Sequence, residues 1–176
     1  MNNRKVILYI ACSLDGYIAQ PNDDLSFLSM VEKEGEDYGY GEFIKTIDTV
    51  ILGRKTYDWI MKHVPQFVHA DKQTFVLTRT ARPSIDSTHF YTGDLKALIA
   101  DLKAKPGKDI FCDGGAEVVN MFLQDNLIDE FVISIIPVMV GNGVKLFNDG
   151  RPLLPLTLVS AQSFEKGLVQ LRYKRA

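Results

Sequence analysis

Asp109-Ile110-Phe111-Cys112-Asp113-Gly114-Gly115-Ala116-Glu117-Val118-Val119 reads as a short apolar strand that meets two glycines and turns helical. Ile110 to Cys112 suit a buried strand. Val118, Val119, Phe122 and Leu123 recur at helical spacing, so Gly114 and Gly115 stand where strand hands over to helix. Such a junction aims backbone N–H groups and the positive end of a helix dipole at whatever lies above it. On these residues alone two readings stay open: a seat for a phosphate or pyrophosphate, or a tight turn that needs two permissive residues.

Working outward, Val6 to Cys12 reads as a mostly apolar, central strand, followed by a turn-rich loop over residues 13–24. Phe27 to Lys33 suggests a short helix and Tyr38 to Ile47 a longer one. Thr49 to Leu52 is a strand that runs into Gly53-Arg54-Lys55-Thr56 and a helix, repeating the strand, glycine, helix arrangement. Thr74 to Thr78 and His89 to Tyr91 are further strands, the former ending at Thr78-Arg79. Leu95, Leu98, Ile99 and Leu102 mark an amphipathic helix closed by Pro106-Gly107. Glu130 to Pro137 is a long apolar strand, and Leu156 to Phe164 with Leu168 to Lys174 form a hairpin around Glu165-Lys166-Gly167. Strands alternating with helices, then a terminal hairpin, predict an α/β fold with a mixed sheet.

Three strand ends share a chemistry: Gly53-Arg54-Lys55-Thr56, Thr78-Arg79 and Gly114-Gly115. In an open α/β sheet ligands bind outside the carboxyl ends of the strands, so these three ends are expected to line one crevice. Glycine N–H groups and Thr56 suit phosphates, and Arg54, Lys55 and Arg79 suit an additional one. Neither a Walker sequence nor Gly-x-Gly-x-x-Gly occurs, which disfavours P-loop hydrolysis and an ordinary Rossmann site.

Composition narrows the function classes. The chain of 176 residues fits one domain, residues 1–176, and its 46% hydrophobic content, 24% charged content and net charge of −2 suit a globular protein without a general affinity for nucleic acid or acidic membrane. Cys12 and Cys112 each end an apolar run, as buried reduced thiols of a cytoplasmic protein do. The apolar run after Met1-Asn2-Asn3-Arg4-Lys5 is too short for a signal peptide, and no segment reaches the ~20 apolar residues of a membrane span. His63, His69 and His89 lack metal-ligand spacing and read as surface residues, so no metal is expected. The acidic run Glu32-Lys33-Glu34-Gly35-Glu36-Asp37 reads as solvated, and Trp59 as core.

Ser13-Leu14-Asp15-Gly16, Val50-Ile51-Leu52-Gly53-Arg54-Lys55-Thr56, Asp113-Gly114-Gly115, and Leu127-Ile128-Asp129-Glu130 through Pro137 to Gly141 occur in an order that resembles the dihydrofolate reductase superfold. The resemblance is closer to the reductase domain of the bacterial riboflavin-biosynthesis deaminase-reductase and its stand-alone relatives, and it spans nearly the whole chain. It implies a twisted, mostly parallel eight-stranded sheet with helices on both faces and a C-terminal antiparallel hairpin. It also implies an NADPH-dependent reductase acting on a pteridine-like or ribosylaminopyrimidine-like small molecule, and a homodimer.

In that family the Gly114-Gly115 turn, with Ala116, Glu117 and Val118 behind it, holds the pyrophosphate, and its peptide bond is cis. Gly53, Arg54, Lys55 and Thr56, with Thr78 and Arg79 after the next strand, hold the adenosine phosphates. Tyr9 stands where the riboflavin reductases have a lysine, and Asp113 where they have a glutamate. Both differences fall at the substrate end, where Ser13, Asp15 and Asp37 are also placed. Asp37 precedes Gly53 at a spacing similar to that of the substrate-binding acid of dihydrofolate reductases, so it is the expected proton donor, with Asp15 as its rival. A non-catalytic NADPH-binding protein with a degenerate substrate pocket is the alternative.

Overall fold

The computed structural model describes residues 4–176; Met1 to Asn3, where the leader reading begins, lie outside the described residues. The strand expected from Val6 forms as β1 (Val6–Ser13). The loop after it contains a three-residue strand, β2 (Tyr17–Ala19), paired with β8 (Val144–Lys145). The remaining elements, in chain order, are α1 (Tyr40–Lys45), β3 (Ile47–Gly53), α2 (Arg54–His63), β4 (Gln73–Leu77), β5 (Thr88–Tyr91), α3 (Leu95–Ala104), β6 (Asp109–Gly114), α4 (Ala116–Gln124), β7 (Glu130–Ile136), β9 (Leu156–Ser163) and β10 (Val169–Arg175). The main sheet has eight strands in the order β5-β4-β3-β6-β1-β7-β10-β9. Only β10 runs against its neighbours, antiparallel to both β7 and β9.

Apolar alternation divides the core between the two faces of this sheet. On one face Val6, Leu8 and Cys112 pack with Leu98, Ile99 and Leu102 of α3 and Val119 and Phe122 of α4. On the other, Val50, Leu52, Val76 and Phe111 meet Tyr57 of α2, with Phe43 of α1 against them. Beside this, Phe27 and Val31 pack on Ile136 and Leu168. The α3 periodicity is fully realised, and Asp94 caps the helix by accepting the Ala97 N–H at 2.8 Å. Cys12 and Cys112 are buried, free thiols, as expected.

Four local expectations change. The helix expected over Phe27 to Lys33 is a 3-10 turn over Ser26–Val31. That expected over Tyr38 to Ile47 shrinks to Tyr40–Lys45, because Tyr38 (φ 56°) and Gly39 (φ 82°) take left-handed conformations that cannot continue a helix. Trp59 is 37% exposed and stacks on His63 with ring centroids 4.0 Å apart, so it is not core. His69 is 3% exposed and lies between Phe67 and Phe111, so it is not a surface residue.

A buried arginine holds the entry ends of the strands. Arg4 is 5% exposed; its guanidinium donates to the Lys108 carbonyl at 2.6 Å, the Leu102 carbonyl at 3.1 Å, the Thr49 hydroxyl at 2.8 Å and the Asp48 carboxylate. One side chain thereby ties the start of β1 to β3 and to the connection between α3 and β6. Replacing it leaves two carbonyls without this donor and breaks the ion pair with Asp48, whose carboxylate keeps the Thr49 hydroxyl and the Lys108 N–H. Arg4→Ala is expected to lower the unfolding free energy by about 3 kcal/mol in urea melts; a loss below about 1 kcal/mol would remove the clamp from the account of stability.

Candidate functional site

Two helix N-termini converge on adjacent strands. Gly53 ends β3 and is the N-cap of α2; Gly115 follows β6 and is the N-cap of α4. Neither helix has a side-chain cap, so the leading N–H groups of both point beyond the strand ends. Because β3 and β6 are hydrogen-bonded neighbours in parallel, with Leu52 opposite Gly114, these partial positive charges add over one spot. The glycines are sterically required there: a Cβ on Gly53 would sit 3.1 Å from Val118 Cγ2, and Gly114 has φ +99°. The Gly114–Gly115 peptide is cis. Thr56 Oγ1 accepts the Gly115 N–H at 2.9 Å and binds the two termini together.

Cationic residues flank this spot. Arg54 is ion-paired with Asp58 at 2.5 Å, and exposed Lys55 stands 3.7 Å from Glu117. Arg79 is exposed and makes no ion pair among the described residues, beside a turn in which Thr78 Oγ1 receives the Thr80 N–H at 3.2 Å. The structure therefore gathers Gly53, Arg54, Lys55, Thr56, Gly114, Gly115, Ala116, Glu117 and Val118 at one crevice, with Thr78 and Arg79 at the end of the next strand, β4. Uncapped N–H groups, close-approach glycines and unspent guanidinium charge fit a dinucleotide with its phosphates.

A cavity of about 610 Å³ opens next to it, floored by Tyr9 and Ala11 of β1 and Ser134 and Ile136 of β7. Since β1 lies between β6 and β7, the floor starts one strand from the Gly-Gly turn. The Tyr9 hydroxyl donates to the Tyr38 carbonyl at 2.6 Å and accepts from Gln170 Nε2 at 3.1 Å; that amide also lies 3.1 Å from Ser134 Oγ. Burial pushes the Tyr9 phenol upward, and the Gln170 hydrogen bond opposes the shift. Tyr9 stacks on Phe43 at 4.6 Å and meets Tyr40 edge-on at 5.6 Å.

Asp113 lies at the mouth of β6, at a β-bulge where β3 slips by a residue between Ile51 and Leu52. Its Oδ2 is 3.5 Å from Nε2 of buried His69. Burial, then the Asp113 charge, raises the Tyr40 phenol well above its ordinary range. His69, Tyr40 and Gln170 thus join the site without a sequence signal: each sits on an element whose docking, not whose motif, brings it there.

The two expected acids turn out otherwise. Asp37 is exposed, and its carboxylate accepts the Gly41 N–H at 2.9 Å and the Gly39 N–H at 2.9 Å, which lower its pKa. It lines the cavity; here its carboxylate is exposed and its charge stabilised, whereas the expected proton-donor role calls for burial. Asp15 accepts the Ser13 hydroxyl, the Val140 N–H at 3.0 Å and the Gly141 N–H at 2.7 Å, which bring its pKa down to about 2. It is a loop clamp, joining the stretch after β1 to the one after β7, and holds no proton either.

The mostly parallel sheet, its helices and the C-terminal antiparallel hairpin define the dihydrofolate reductase-like fold. The RibD C-terminal domain family matches residues 4–170, and the chain belongs to that family of reductase domains. The uncharacterized protein YwjB of Bacillus subtilis (strain 168) is 42% identical over 98% of this chain and 99% of its own. A putative riboflavin biosynthesis protein from Shewanella sp. PV-4 superposes with a TM-score of 0.90 at 31% identity, covering 98% of this chain and 99% of that one. Dihydrofolate reductase from Enterococcus faecalis, complexed with NADP(H), shares the fold with a TM-score of 0.67 at 14% identity, covering 99% of this chain and 98% of that one.

Because the folded-state pKa of Asp15 is depressed, its clamp is intact above the ordinary carboxylate range and is lost as pH falls from 3.8 through about 2. Asp15→Asn is expected to speed hydrogen exchange at the Val140 and Gly141 amides about tenfold or more at neutral pH. Unchanged protection in that variant would show that the loop is held by other contacts.

Proposed function

We propose that the chain is an NADPH-dependent reductase that moves a hydride to a C=N or C=O carbon of a small pteridine-like or pyrimidine-like substrate. The observation that supports this most is the meeting of two uncapped helix N-termini, flanked by arginines, with a cavity one strand away. The leading amides of α2 and α4 hold the pyrophosphate, and Arg54, Lys55 and Arg79 take the 2′-phosphate, Arg54 exchanging Asp58 for it. When bound, NADPH supplies the hydride. Tyr9, fixed at both ends of its hydroxyl, orients the substrate ring; Ser134 and Asp113 offer polar contacts at its edges. With Asp15 and Asp37 both ionised, the proton comes from water entering the open cavity.

The test is NADPH oxidation, followed by absorbance, over a panel of dihydropterins, dihydrofolate and ribosylaminopyrimidines. Turnover of any member is expected; NADPH binding without turnover of any would favour a cofactor-binding protein with a degenerate pocket. Charge-assisted bonds contribute about 1.5 to 3 kcal/mol each before compensation. Arg54→Ala with Arg79→Ala should therefore weaken NADPH by about tenfold or more in titration calorimetry, while NADH changes little. Equal losses for both cofactors would remove the 2′-phosphate assignment.

We also propose a homodimer through β9. All eight of its residues are exposed, none is charged, and Leu156, Leu158 and Val159 are 40%, 54% and 54% exposed at the sheet edge. Edges of that length are normally guarded by charge or covered. A second copy, paired about a two-fold axis, covers it with no other element needed. Light scattering should give twice the chain mass, and Leu158→Lys the single mass; a monomeric wild type at working concentration would overturn the assembly.

A further inference from the structure

The charge around the cavity speaks to what enters it. Of the residues lining it, four are carboxylates, Glu32, Glu34, Glu36 and Asp37, against one ammonium, Lys33. That ammonium is engaged, 2.5 Å from Glu165. Of the nearby lysines, Lys45 is paired with Glu42 at 2.5 Å, and Lys166 donates to the Glu32 carbonyl. No arginine lines the cavity. Its inner wall is uncharged: the Tyr9 and Tyr38 rings, Ala11, Leu28 and Ile136, with Ser134 as the polar point. Asp37 is held in its charged form by the Gly41 and Gly39 amide donors.

The opposite holds at the neighbouring crevice, where Arg54, Lys55, Arg79 and two helix N-termini gather positive charge. The two halves of the site therefore carry opposite fields. A phosphate ester, or a long carboxylate tail, is welcome in one half and repelled from the other. At exposed positions each like-charge contact is modest and salt-screened, but four at one mouth act together.

Resting on the reductase reading above, we infer that the substrate half of the site takes a neutral or cationic amino-heterocycle and rejects anionic ones, phosphoribosyl-bearing pyrimidines included. The aromatic and apolar wall stacks the flat ring. The carboxylates select against negative substituents at the mouth, and exposed amino groups on the heterocycle find acceptors there. Tyr9 and Ser134 are held by Gln170, and the cation near the floor, Arg172, faces Glu130 at 3.8 Å instead of lining the cavity.

Titration calorimetry on the intact protein saturated with NADP⁺ tests this without requiring turnover. Neutral 6-hydroxymethylpterin is expected to bind about tenfold or more tightly than pterin-6-carboxylate, and the gap should narrow several-fold at high salt. The double variant Glu34→Gln, Glu36→Gln, which keeps the acceptor that Glu36 offers to the Tyr38 N–H, should narrow it likewise and leave NADP⁺ affinity unchanged. Equal or tighter binding of the carboxylate, or no binding of either pterin, overturns the inference. Failure of the reductase reading looks different: NADP⁺ itself does not bind, or the neutral pterin binds and no dihydro form is ever reduced.

Discussion

The pairing of Leu52 with Gly114 across the ladder between β3 and β6 sets the whole arrangement. It brings the carboxyl ends of two strands level, and each strand continues directly into a helix through a glycine. Two peptide dipoles then end on the same point, where neither alone would hold a doubly charged group firmly. Val118 against Gly53 and Thr56 against Gly115 pack tightly there, so a Cβ at either glycine would press on its neighbour. What remains above it is backbone N–H and space. Slipping this register by one residue would separate the dipoles and reverse the facing of Phe111, on which α1 packs.

From that fixed point the site acquires a direction. Positive charge collects above β3, β4 and β6, and negative charge collects around the cavity beside β1 and β7. Between them lies an aromatic floor whose hydroxyls are all spoken for. Such a surface positions a ring by shape and fixed dipoles, not by ionic capture. Asp113 adjoins the Gly-Gly turn at the end of β6, with His69 3.5 Å from its carboxylate. The clamp of Asp15 on Val140 and Gly141 holds the loops that rim the strand ends on this side.

The half of the site above β3, β4 and β6 was legible in the chain because it is made from contiguous stretches: a strand, a glycine and a helix, twice, with the basic residues in line. Strand and helix spans there match within a residue or two, since apolar alternation and glycine placement report directly on burial and backbone freedom. The half around the cavity is assembled from pieces far apart in sequence. Gln170 reaches Tyr9 and Tyr38 from the last strand, and His69 reaches Asp113 from the loop after α2, so no local pattern announces them. The surroundings of Asp37 were hidden for a related reason. Its spacing from Gly53 singled it out, but spacing does not report that Tyr38 and Gly39 turn left-handed beside it and leave the carboxylate accepting from the Gly39 and Gly41 amides. Trp59 and His69 exchanged their expected places because a large ring on a helix and an imidazole in a loop say little about which way the backbone turns them.

The one antiparallel strand also bears on how the protein comes into being. Everything that makes the crevice above β3 and β6 is present once the ribosome has released α4, which ends at Gln124. The floor of the cavity is not: its Tyr9 hydroxyl and Ser134 are organised by Gln170, in a strand inserted between β7 and β9. The residues at the ends of β3 and β6 are thus synthesised well before those that complete the cavity. A chain clipped before β10 would lack the cavity's Gln170 and leave the edge of β7 bare.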